Sequence, residues 1–128
     1  MLKTGITGKQ EIIVDHTNTA EVVGSGLLPV FATPAMIALI EKTAWVSIAD
    51  KLEQGQGSVG IKLDVAHTSA TPAGMKVWCE TELTEIDKKR LVFKVTVFDE
   101  CGEVGNGTHE RFIIDNDRFL EKAESKKG

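Results

Sequence analysis

The chain has 128 residues, the length of one compact domain and enough to bury a core without disulfide or metal staples. Its 41% hydrophobic and 27% charged residues are those of an ordinary soluble globular protein. A formal net charge of −4 argues against a nucleic-acid partner, and an anionic ligand would need a local cluster of Lys or Arg.

Cys79 and Cys101 are too few for a disulfide framework and lack CxxC spacing, so a reduced, cytoplasmic protein without a metal or redox site is expected. Cys79 falls in an apolar strand pattern and Cys101 in a turn. Met1 to Gly5 lacks the apolar core of a signal peptide. The longest apolar stretch, Leu27 to Ile40, is broken by Pro29, Thr33 and Pro34 and is shorter than the ~20 residues of a membrane span. No repeat or linker divides the chain, which predicts a single domain over 1–128 with a charged, frayed tail over 119–128.

In chain order, alternation from Lys9 to Val14 predicts a first strand. The polar, glycine-bearing stretch Asp15 to Gly26 follows it. Thr33 then reads as a helix N-cap with Pro34 in the first helical position. The helix runs through the apolar Ala35–Ile40 to about Leu52, stopped by Gly55 and Gly57. Its first turns are apolar nearly all round, which predicts burial on most sides.

Everything beyond Gly57 has the period of strands. Val59, Ile61, Leu63 and Val65 alternate with polar or small residues, as do Val77 to Leu83 and Leu91 to Val97. A last strand spans about Glu103 to Ile114, with hairpin turns near Asp87–Lys89 and at Glu100–Gly102. One strand, one long buried helix and four further strands make an α+β protein. An antiparallel sheet wrapped around one long buried helix is the hot-dog fold.

Glu41 interrupts the apolar helix, where a carboxylate costs several kcal/mol unless it is paired or protonated. That makes it a candidate nucleophile or general base; the alternative is a wet stripe on the helix, since Lys42 is adjacent. His67 continues the odd-numbered series of its strand and, with no bulge, faces the helix. Its ordinary pKa near 6.5 suits proton transfer. Thr33 opens a helix whose free N–H groups suit a developing oxyanion. His16 and His109 have no partners at motif spacing. Lys88-Lys89-Arg90 is a solvated turn or a contact for phosphates. There is no GxSxG, GxGxxG or P-loop.

These residues resemble the fluoroacetyl-CoA thioesterase-like branch of the hot-dog superfamily. The matching stretches are Val30-Phe31-Ala32-Thr33, Ile40-Glu41 and Gly57-Ser58-Val59-Gly60, then Val65 to Gly74, then Gly107-Thr108-His109-Glu110-Arg111. They run from about Lys9 to Arg118, and His67 to Gly74 is the most specific piece. The resemblance implies a catalytic set of Thr33, Glu41 and His67, and Gly60 lining the acyl pocket. It implies hydrolysis of an acyl-CoA without metal or organic cofactor, CoA being part of the substrate. It also implies homodimers, or dimers of dimers, with sites at the subunit interface. Glu21 to Leu28 is short and glycine-bearing where fluoroacetyl specificity goes with a bulkier, aromatic lid, so another short acyl group is expected. Either Glu41 attacks directly, giving an anhydride, or a water activated by Glu41 or His67 does. The alternative is a non-catalytic acyl-CoA or small-carboxylate binding protein. A hydratase would need an Asp/His loop motif that is absent.

Overall fold

The computed structural model describes residues 1–128. Strand β1 (Thr7–Ile13) leads to a short helix α1 (Ala20–Val23) and the long helix α2 (Thr33–Ile48), closed by a 3-10 turn over Ala49–Lys51. Strands β2 (Gln56–His67), β3 (Lys76–Asp87), β4 (Arg90–Asp99) and β5 (Gly102–Asp115) follow, and then helix α3 (Asn116–Glu124). The strands form one sheet in the order β1-β3-β4-β5-β2, antiparallel at every step. The α+β architecture read from the sequence is therefore the one observed, with β1 and β2 as free edges.

The period-two pattern sorts the middle strands cleanly. Val77, Cys79 and Leu83 of β3 and Leu91, Phe93, Val95 and Val97 of β4 are all buried on the helix-facing side. Against them α2 lays Met36, Leu39, Ile40, Ala44 and Ile48. Each Val, Leu, Ile, Phe or Met side chain among them contributes about 1.5–3 kcal/mol by leaving water. Burial also pushes the Cys79 thiol up to about 11, as expected of an inert core cysteine.

Two expectations need correction. Helix α2 is covered on one side only, because a single sheet reaches only one side of it. Ala38 and Trp45 remain exposed and Ile37 and Glu41 half-buried, at helical spacing along one stripe. The helix also ends four residues before Leu52 and continues as a 3-10 turn. Residues 119–124 of the charged tail lie in helix α3, which is solvent-exposed and capped by Asp115, whose carboxylate accepts from the Arg118 N–H at 3.0 Å.

Strand β2 departs from regular alternation. Its register against β5 shifts between Gly60 and Lys62, placing a bulge at Ile61. Before the bulge Ser58 and Gly60 lie across from Ile113 and Arg111; after it Leu63, Val65 and His67 lie across from His109, Gly107 and Gly105. The inward series thus switches from even to odd numbers. Val59 and Ile61 face away from the helix, contrary to the simple odd-numbered reading, while His67 keeps its inward direction.

Candidate active site

Helix α2 begins beside the end of β2 because the intervening segments are pinned together. The Phe31 N–H donates to the Thr71 carbonyl at 2.8 Å, and Val30 bridges Pro72. The buried Thr71 hydroxyl donates in turn to Asp99 at 2.7 Å, tying the stretch after His67 to the end of β4. The result is that Thr33 Oγ1 lies 2.8 Å from His67 Nδ1, in hydrogen-bond contact. Phe31 sets its ring edge-on against the imidazole, with centroids 6.1 Å apart. The pair lines a cleft of about 280 Å³ with Ala20, Ser25 and Val30.

Thr33 is not the N-cap that its type suggested. Ala32 holds that position, with φ −75° and ψ 140°, and no side chain caps the helix start. The threonine hydroxyl is free to serve His67 for that reason. Burial lowers the His67 pKa, the Ser69 backbone acting in the opposite direction, so the ring is neutral at pH 7. Its Nε2 is shielded and has no hydrogen-bond partner within the chain.

Glu41 lies further along the helix, in a second cluster. Its carboxylate, 39% exposed, stands 3.6 Å from Nη1 of Arg111, whose side chain is almost wholly buried on β5. Arg111 donates through Nε to the Ser58 hydroxyl and through Nη2 to the Ser58 carbonyl, both at 2.8 Å. Gly60 sits between these groups: a Cβ there would come within 2.7 Å of Glu41 Oε2 and 3.1 Å of His109 Cε1. Its missing side chain is what leaves space beside the carboxylate.

The four residues singled out by sequence thus fall into two pairs within one chain, Thr33 with His67 and Glu41 with Gly60. From position 33 to 41 is eight residues, about 12 Å along a helix axis. The buried His109 and Arg111 were not singled out as site residues. Their signal was available: on β5 they continue the inward-facing positions of Gly105 and Gly107, so two polar residues occupy core-facing places. The basic turn divides differently from its expectation. Arg90 is held by Glu110 and Glu85, each at 2.9 Å, which raises its pKa and occupies it. Lys88 and Lys89 remain exposed.

The family described as fluoroacetyl-CoA-specific thioesterase, FlK, matches residues 14–117. A curated relative, the fluoroacetyl-CoA thioesterase of Streptantibioticus cattleyicolor, is 40% identical over 97 residues, covering 76% of this chain and 70% of its own. Among solved structures, a threonine-to-serine variant of FlK in complex with acetyl-CoA superposes with a TM-score of 0.94 at 31% identity, over 99% of this chain and 100% of that one. A hot-dog-like protein from Thermanaerovibrio acidaminovorans superposes at 0.89 with 20% identity, over 99% and 94% of the two chains, which shows the shared fold.

Proposed function

The chain belongs to the fluoroacetyl-CoA-specific thioesterase family and is a thioester hydrolase, and we propose that it cleaves a short-chain acyl-CoA using Thr33, Glu41 and His67 in sites shared between two copies. The observation that carries this reading is the 2.8 Å contact between Thr33 and a neutral, half-buried imidazole at the mouth of a helix.

In this reading the thioester oxygen lies at the start of α2, among N–H groups that no helical carbonyl can reach. The Thr33 hydroxyl adds a donor there, oriented by His67. Glu41 supplies the attack, either by its own carboxylate or through a water whose proton it takes. The carbon–sulfur bond then breaks, and the CoA thiolate leaves with the proton that Glu41 took from the water. Where Glu41 attacks directly, a water afterwards cleaves the anhydride, which restores the carboxylate, releases the acyl group as its acid and supplies the proton for the thiolate. No metal or organic cofactor takes part. The small space beside Gly60 favours a short acyl group, and the aliphatic Val22, Val23, Leu27 and Leu28 over Glu21–Leu28 favour one other than fluoroacetyl.

Sharing between copies follows from the separation of the two pairs. An attacking atom must stand within about 3–3.5 Å of the carbonyl carbon, so one chain's Glu41 cannot serve a carbonyl held at its own Thr33. A two-fold homodimer with antiparallel α2 helices brings one chain's Glu41 to the other's Thr33. The uncovered stripe Ile37, Ala38, Glu41 and Trp45 and the unpaired β2 edge support that pairing. A thioesterase screen across acyl chain lengths, run beside Glu41→Ala, tests the function. Turnover of a short acyl-CoA that Glu41→Ala abolishes is expected; acyl-CoA binding with no turnover across the panel would overturn it.

A further inference from the structure

His109 is fully buried in β5 and stacks near Phe93 of β4, yet both its ring nitrogens are engaged. Nδ1 lies 2.9 Å from the Lys62 carbonyl, and Nε2 lies 3.1 Å from Nη1 of Arg111. Chemistry decides the proton. A carbonyl only accepts, so Nδ1 carries the hydrogen and donates it. A guanidinium only donates, so Nε2 presents its lone pair. The Lys62 carbonyl belongs to the first residue beyond the Ile61 bulge, so the irregularity in β2 supplies the anchor for this ring.

We propose that His109 is a positioning residue: as a neutral acceptor it holds the Arg111 guanidinium at a set distance from Glu41, keeping the carboxylate oriented but free to react. This rests on the reading of Glu41 as the reacting carboxylate. With Ser58 holding Nε and Nη2, His109 fixes Nη1, the nitrogen 3.6 Å from Glu41. Without the acceptor, Nη1 is free to close onto Glu41 as a tight, charge-assisted pair, which withholds the carboxylate from the substrate.

A protonated His109 would turn a second N–H toward the guanidinium and set two positive charges against each other. The charged groups that act on the ring are Glu41 on α2 and Glu110 and Arg111 on β5; Lys62 on β2 meets it through its backbone carbonyl, and Phe93 on β4 brings no charge. Burial, with Arg111 acting in the same direction, lowers the His109 pKa against the opposing Lys62 carbonyl and the two glutamates. The neutral form is thus the one present at pH 7.

The test compares His109→Leu with His109→Gln in the full chain. A glutamine can reproduce both contacts, its oxygen accepting from Arg111 and its amide donating to Lys62. His109→Leu should lower kcat about 10- to 100-fold with KM little changed, since a misplacement near 1 Å can cost that much. His109→Gln should keep kcat within about threefold near pH 8. On the acid side, wild type should lose activity with the uptake of about two protons and His109→Gln with about one. Wild-type kcat in His109→Leu, or an unchanged acid limb in His109→Gln, would overturn the assignment. Should His109→Leu fail to fold, that acid limb decides alone. An inactive wild type, or an active Glu41→Ala, overturns the proposed function and this inference with it. Active wild type, dead Glu41→Ala and unaffected His109 variants overturn this inference only.

Discussion

The hydroxyl of Thr33 bonds the imidazole of His67 and not the free N–H groups of its own helix. The helix start falls one residue earlier, on Ala32, and so the hydroxyl goes to the histidine. Glu41 is likewise defined by its neighbours, since Arg111 balances its charge on an otherwise apolar stripe. Glu41→Ala should therefore retain the fold and lose at least about 100-fold in kcat, the low end for a residue in acid–base chemistry; steady-state kinetics of the folded variant measures this. The pH behaviour of His67 follows from burial. As the hydrogen-bond acceptor or base proposed for it, His67 works in its neutral form, and burial holds its pKa below the ordinary value near 6.5. Turnover should hold as pH falls through about 6.5 and drop only at lower pH, where the ring takes up its proton. The pH profile of His67→Ala should lack that component.

At the level of elements, the pairing of β2 with β5 matters most, because this pair carries Gly60, His67, His109 and Arg111. Its geometry depends on a bulge in one strand and a glycine in the other. Gly107 has φ +150°, and a Cβ there would lie 2.1 Å from the Asp64 carbonyl oxygen and 2.7 Å from Val65 Cα. Both obstacles are backbone, so neither can swing aside. Gly107→Ala should cost at least about 2 kcal/mol through strain and lost pairing. Urea unfolding would show it as a lower midpoint, and hydrogen exchange should localise the loss to β2 and β5. The Thr71–Asp99 bond and the Phe31–Thr71 contact serve the other end of the site, docking the helix start on the end of β2.

For the whole molecule, the proposed sharing of sites between two copies makes its own prediction. Glu41→Ala and a Thr33→Val variant shown to be inactive alone can be mixed and refolded together. Random pairing makes about half the dimers mixed, and each mixed dimer has one intact and one doubly damaged site, so about a quarter of wild-type activity should return. Sites built within one chain would all keep a lesion, and nothing would return. Mass analysis of the mixed dimers makes the absence of recovery decisive against sharing.

The order of strands and helix was legible in the sequence because it depends on local periodicity: alternation in Val77–Leu83 and Leu91–Val97, an apolar run after Pro34, glycines at the turns. The candidates Thr33, Glu41 and His67 came from the resemblance and, for Glu41, from a lone carboxylate in an apolar helix; of these, the structure brings Thr33 and His67 into contact. The face of β2 was not legible. The Ile61 bulge is a backbone event, and one extra residue reversed Val59 and Ile61 while leaving His67 inward. Nor could the sequence show that His109 and Arg111 complete a buried polar network with Ser58 and Lys62, residues about fifty positions away. Such a network exists only once β2 and β5 are paired, because its partners belong to different strands and its bonds form in a core that excludes water. Tertiary structure alone decided that Thr33 caps nothing and that Glu41 stands apart from it.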